Sequence, residues 1–226
     1  MFKNRTIQSC CYVIILSLVF LTMSGCAAAI FAPFYLIKGT DIDPEFKKEI
    51  KAIPKESKII VVCRSGAELY GPEDPSAALS YCMMALLSKK LPEKKKFEWI
   101  TFDKVEALFD ETALRHESFQ NIGEKVGADY LFGVDIDSFS TQVSPLLFQG
   151  RSKVHVQLLD IKNKNVVARK TLPQYVYPPN PVPINNKEPS EFQKQYTGQL
   201  ANEIGTLFYP YSQHDKYAQD CDFLHE

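Results

Sequence analysis

The chain has 226 residues, a formal net charge of −1, and 45% apolar and 23% charged side chains. These are the proportions of an ordinary globular protein, and without a basic surplus no nucleic-acid partner is expected. The length suits one domain with a sizeable core, of about 200 residues once an export signal is removed.

Lys3 and Arg5 open the chain, and an apolar stretch runs from Cys11 to Met23. It is short for a membrane span, which needs about 20 apolar residues, and has the length of the apolar part of a signal peptide. Met23-Ser24-Gly25-Cys26 then resembles the lipobox of bacterial lipoproteins, with Met23 where that motif usually carries Leu. The resemblance implies cleavage before Cys26 and a diacylglycerol lipid, with palmitate-type acyl chains, on its sulfur. An ordinary cleavage after Ala28 or Ala29, or an uncleaved anchor through Ile30-Phe31, is the competing reading. No Asp follows Cys26, so by the enterobacterial sorting rule the expected location is the outer membrane, facing the periplasm.

Residues 26–57 read as a lipidated tether, with a short helix over 43–53 that places Phe46 and Ile50 on one face. Ile59-Ile60-Val61-Val62-Cys63 is a continuous β-branched run, the signature of a strand buried on both faces. A loop over 64–74 follows. Asp74 is suited to cap a helix and Pro75 to begin it. Ala78, Cys82, Ala85 and Leu86 share a face of that helix, which ends at Leu91-Pro92. A second strand is expected over 97–102 and a short helix over 104–109 with Asp103 at its cap. Another helix, over 118–126, turns Phe119, Ile122 and Val126 inward and closes on Gly127.

A third strand starts at Asp129, with Phe132, Val134 and Ile136 on one face. Strands over 149–160 and 166–172 form a hairpin about Asn163-Lys164-Asn165. The stretch 173–189 holds Pro173, Pro178, Pro179, Pro181, Pro183 and Pro189, and reads as an extended loop unable to pair in a sheet. Ser190 is the expected cap of a last helix with Phe192, Tyr196, Leu200, Ile204 and Leu207 in line. The domain thus spans 58–211, and 212–226 is a polar tail.

This order predicts an α+β fold: a mixed sheet in two layers, with helices packed mainly on one face. Ile122-Gly123-Glu124-Lys125-Val126-Gly127-Ala128-Asp129-Tyr130-Leu131 resembles the helix-to-strand turn of small envelope domains. These are the TolB N-terminal domain, the curli-secretion lipoprotein and the lipoprotein activators of penicillin-binding proteins. Val154-His155-Val156-Gln157-Leu158-Leu159-Asp160-Ile161 and Asn165-Val166-Val167 resemble their next hairpin. The resemblance covers 58–209 and implies a TolB N-terminal-like fold and a non-catalytic, protein-binding or assembly role. The partner is an unidentified envelope protein or a second copy. The link over 139–147 looks too short to build the membrane-spanning hairpins of the curli pore.

Val62-Cys63-Arg64-Ser65-Gly66 resembles the loop of rhodanese-type sulfurtransferases, so a thiol enzyme at Cys63 is the alternative. Its expected helix starts about ten residues too late to activate the thiol through its dipole. Cys63 and Cys82 read as buried free thiols; with Cys221 they make an odd count after the anchor, and one bridge with one thiol left over is the alternative. His116, His155, His214 and His225 have no ligand spacing, so neither metal nor cofactor is expected. Asp135 and Asp137 are expected to pair with Arg151 and Lys153 across strands. Tyr175 and Tyr177, on the proline-rich stretch, are the candidate partner-binding residues. The open alternative is that they complete the domain's own core.

Overall fold

A computed structural model describes residues 41–66, 74–91, 95–108, 113, 116–183 and 188–212. Cys26, the lipobox, His214, Cys221 and His225 lie outside the described residues. The elements are β1 (Asp41–Ile42), α1 (Lys47–Ala52), β2 (Lys58–Ser65), α2 (Ser76–Lys90), β3 (Glu98–Ile100), α3 (Phe102–Leu108), α4 (Phe119–Val126), β4 (Tyr130–Ser144), β5 (Leu147–Asp160), β6 (Asn165–Thr171), β7 (Tyr175–Pro183), α5 (Pro189–Gly205) and β8 (Tyr211–Ser212).

Six strands form one mixed sheet in the order β3-β2-β4-β5-β6, with β7 on β5 beside β6. β2 pairs parallel with β3 and β4, and the other pairings are antiparallel. The chain crosses from β2 to β3 through α2, then returns past β2 to β4 through α3 and α4. Both crossovers join parallel strands in opposite directions along the sheet. The common right-handedness of such connections therefore sends them to opposite faces.

That reversal explains why β2 is buried on both sides. Ile59, Val61 and Cys63 join the main core with Leu79, Met83 and Leu86 of α2, Leu200 and Ile204 of α5, Ile50 of α1 and its cap residue Phe46. Ile60 and Val62 join a second core with Val105 of α3 and Phe119 and Ile122 of α4. The expected α+β mixed sheet is present, and its two long helices share one face. At the parallel end, α3 and α4 also cover the second face.

Local signals act where expected at several ends. The Asp74 carboxylate accepts from the Ser76 N–H at 2.9 Å. Ser118 caps α4 by accepting from Asn121 N at 3.1 Å. Gly127 closes the helix at φ +73°, a conformation most side chains resist. Ser190 lies within the first turn of α5, and Glu188 is the cap residue without a side-chain bond. Asp103 likewise lies inside α3.

Other boundaries move. β2 extends through Arg64 and Ser65, which the sequence placed in a loop. The compact unit begins at Ile42, because Phe46, Ile50 and Ile53 are buried in the main core. Residues 42–57, read as the far part of the tether, therefore fold with the domain. The link over 139–147 is mostly strand: β4 runs to Ser144 and β5 restarts at Leu147. Among the described residues no helix is long and apolar enough to cross a membrane.

Candidate protein-binding arm and the buried thiol

β4 leaves β2 at Ile136, its last residue in register with β2. The β4–β5 ladder continues to Ser144↔Leu147. β7 joins β5 over the same stretch, from Ser152↔Tyr175 to Leu147↔Pro183. The three strands make an arm that projects past the parallel part of the sheet. The expectation that 173–189 cannot pair is thus corrected. An edge strand tolerates proline where the missing N–H faces outward. The Gln149 side chain supports the proline-bearing backbone, its Nε2 donating to the carbonyls of Pro178 and Pro179 at 3.1 and 3.0 Å. Arg151 holds the other end of that amide, donating to Gln149 Oε1 at 3.0 and 2.8 Å.

Aromatic rings fasten the arm to α5. Phe148 stacks on Phe192 at 4.8 Å, Phe192 lies parallel to Tyr196 at 6.5 Å, and Tyr175 stacks on Tyr196 at 6.0 Å. The Tyr196 hydroxyl donates to Ser152 Oγ at 2.8 Å and reaches the Tyr175 carbonyl at 3.2 Å. Burial pushes the Tyr175 and Tyr196 phenols well above the ordinary tyrosine range. Gly150 is required here, since a Cβ would meet the Tyr196 ring at 2.1 Å. Tyr177 packs at the border of this ring cluster and is half-buried. Tyr175 and Tyr177 therefore share one place, with Tyr175 the more committed to the domain's own packing.

Outward, the arm exposes apolar side chains among polar ones such as Ser140, Gln142 and Arg151. Val143 is 36% exposed, Leu146 75%, Val176 36% and Val182 37%. Val182 stands opposite Phe148 in the ladder, and Leu146 lies in the turn between β4 and β5. An open groove of 340 Å³ runs beside Phe139, Gln142, Val143 and Gln174. The sequence signal for this surface is weak, because Ser138-Phe139-Ser140-Thr141-Gln142-Val143-Ser144 has no strong apolar alternation.

The Cys63 site is built differently. Its side chain is 0% exposed, and its backbone N–H donates to Ser80 Oγ at 2.8 Å. Burial pushes the thiol up to about 12, opposite to what a nucleophilic thiolate needs. Cys82 is also a buried free cysteine. Arg64 points to the other face of β2. It pairs with Asp135, donates to the Glu117 carbonyl, and lies 4.0 Å over the Phe119 ring. The arginine of the rhodanese-like motif thus staples β2, β4 and the start of α4.

Asp137 pairs with Lys153 at 3.1 Å as expected. Asp135, expected to pair across to β5 with Arg151 or Lys153, takes Arg64 and Gln157. His155 Nδ1 contacts Thr171 Oγ1 at 2.7 Å. Among the described residues no group of three His, Cys, Asp or Glu side chains is placed to hold a metal.

No family model matches the chain, and no curated protein does. Some solved structures are similar to it at low identity. The chain is similar to the LpoB C-terminal domain from Salmonella enterica, at 13% identity over 57% of this chain and 89% of that one, with a TM-score of 0.35. It is similar to the lipoprotein GNA1162 from Neisseria meningitidis, at 15% identity over 66% and 98%, TM-score 0.37. It is also similar to the PelC dodecamer from Paraburkholderia phytofirmans, at 11% identity over 70% and 91%, TM-score 0.38.

Proposed function

We propose that this chain is a membrane-anchored envelope lipoprotein that acts as a non-catalytic protein-binding or assembly component. The observation that carries the reading is the arm: a three-stranded projection, fastened to α5 by rings, that leaves Val143, Leu146, Val176 and Val182 exposed. Exposed apolar side chains on a scaffold held by packing are where a protein partner can dock. The lipobox-like Met23-Ser24-Gly25-Cys26 supports lipidation at Cys26, and Ala27 after it supports an outer-membrane location facing the periplasm. Tyr175 and Tyr177 belong to the binding surface, Tyr175 as its support and Tyr177 as the contact nearer the rim. The buried, proton-retaining Cys63 weighs against the thiol-enzyme alternative.

Affinity capture of the anchored protein with identification by mass spectrometry tests the binding role. Tyr177→Ser is expected to lower capture of the identified partner while the melting temperature stays near wild type. Tyr175→Ser is expected to lower the melting temperature as well, since it removes a stacked ring. If Tyr177→Ser leaves capture unchanged, the tyrosine assignment fails. Metabolic labelling with a fatty-acid analogue tests the anchor. Cys26→Ala is expected to abolish labelling and leave an unprocessed precursor, and equal labelling of the variant would refute the lipobox assignment.

A further inference from the structure

Charge is distributed unevenly along the chain. Residues 47–58 and 89–98 together hold ten lysines and four glutamates, while acidic side chains outnumber basic ones over the rest. The fold joins these two segments. The Lys95 ammonium donates to the carbonyls of Ile50, Lys51 and Ile53 at 2.8, 2.6 and 2.6 Å, closing the C-terminal end of α1. The Glu56 N–H donates to the Lys95 carbonyl at 3.0 Å, and the Glu98 N–H to the Ser57 carbonyl at 3.0 Å. Lys90, at the end of α2, lies over the Tyr209 ring at 6.0 Å. Phe46, Ile50 and Ile53 turn inward. Lys48 and Lys51 stand outward on α1, with Lys55 exposed just beyond it, and Lys90 and Lys96 are exposed as well. Among the described residues Lys48, Lys55 and Lys96 have no carboxylate at salt-bridge distance.

Two further features lie at this end of the domain. Phe97 and Trp99 are half-buried; the Lys95 ammonium lies 5.8 Å over the Phe97 ring, which meets Trp99 edge-on at 6.3 Å. Aromatic rings beside lysines suit a membrane–water boundary, where the ring sits among headgroups and the charge stays wet. The chain also enters the domain here, since β1 (Asp41–Ile42) pairs with β8 (Tyr211–Ser212), two residues past Tyr209. Fourteen residues lie between Cys26 and Asp41, a length that spans at most roughly 50 Å. A lipid on Cys26 therefore keeps the basic end within that distance of the bilayer.

We propose that this basic end of the domain rests on an anionic phospholipid surface. The inference rests on the anchor reading and adds how the anchored domain sits at its membrane. Charge complementarity selects the occupant. An anionic bilayer attracts clustered lysines, each strengthening binding roughly fivefold when near the surface, and the attraction fades over a Debye length of about 8–10 Å. The anchor supplies a high local concentration, so contacts too weak to hold a free protein suffice. The arm then faces the other way. α5 packs against it through Phe192 and Tyr196 near its start, and just past its end Phe208 meets Phe46. The 17 residues between give roughly 25 Å of helix. Docking by the lysines thus sets the exposed valines of the arm away from the bilayer, where a protein partner can reach them.

Trp99 is the single tryptophan of the chain, so its fluorescence reports on this end alone. The test uses the full lipidated chain with vesicles of phosphatidylcholine, with or without about 30% phosphatidylglycerol, each carrying the same amount of a short-range quencher on its headgroups. Trp99 is expected to be quenched more in the anionic vesicles, and the difference is expected to vanish near 1 M salt, where the Debye length is about 3 Å. Lys48→Glu, Lys51→Glu and Lys55→Glu combined are expected to abolish the difference with the melting temperature near wild type, and the same three changed to Gln to reduce it. Lys104→Glu, Arg169→Glu and Lys194→Glu combined make the same change in net charge on α3, β6 and α5, and are expected to keep it. Equal quenching in the two kinds of vesicle, a difference that survives high salt, or equal loss in both Glu triple variants would each overturn the proposal. Flotation with the neutral vesicles reads the anchor separately. A chain that floats with them but shows no extra quenching in anionic ones keeps its anchor and loses the docking face. A chain that does not float with them refutes the anchor, and the quenching comparison still decides the docking.

Discussion

Tyr196 is the residue on which the arm's attachment turns. Its ring is fully buried between Phe192 and Tyr175, and its hydroxyl binds Ser152 and the Tyr175 carbonyl. Tyr196→Phe keeps the rings and removes the hydroxyl, leaving Ser152 Oγ, itself buried, without that donor. A lost buried hydrogen bond costs about 1–2 kcal/mol. For a domain of this size each kcal/mol moves the melting temperature by about 2–4 °C, so the expected drop is roughly 2–8 °C. Tyr196→Ala also opens a cavity between strand and helix, at about 3–5 kcal/mol. Calorimetry gives the totals, and amide exchange locates them. Tyr175, Val176 and Tyr177 are expected to lose protection first, with Ile60 to Val62 of β2 keeping theirs. The reasoning is refuted if Tyr196→Phe matches wild type within about 0.5 kcal/mol and protection on β7 does not change.

Two further outcomes test the core and its charges. Cys63 should resist alkylation near pH 8 until the protein unfolds, so its labelling rate should follow added denaturant; rapid labelling of the native chain would contradict the burial argument. At Asp129, burial alone would raise the carboxyl's pKa, but the Lys162 ammonium and the Lys58 N–H outweigh it and the net shift is downward. A depressed folded-state value contributes stability above the unfolded pKa of about 3.9 and loses it as pH falls through the folded value. The stability difference between wild type and Asp129→Asn should be full at neutral pH and shrink below about pH 4; a difference independent of pH would refute the pairing.

Much of the fold was legible because its signals are local. A β-branched run such as Ile59 to Cys63 can satisfy its side chains only when buried on both faces, and Gly127 marks a left-handed closure whatever surrounds it. Phe192, Tyr196, Leu200 and Ile204 declare the buried stripe of α5 through spacing alone. Tertiary structure decided what depends on the element across the way. The prolines of β7 forbid a central strand, yet β5 and the Gln149 amide accept them at an edge. Ser138 to Ser144 lack the alternation that announces a strand, and they become one because β5 lies alongside to take their backbone bonds. Arg64 reads as part of a thiol motif until β4 and α4 bring Asp135 and the Phe119 ring to it. The second helical layer over β2 follows from the reversal of crossover direction, which no residue encodes by itself. Short-range periodicity and capping are written in the chain, whereas pairing and layering are set by the free energy of contacts between distant segments.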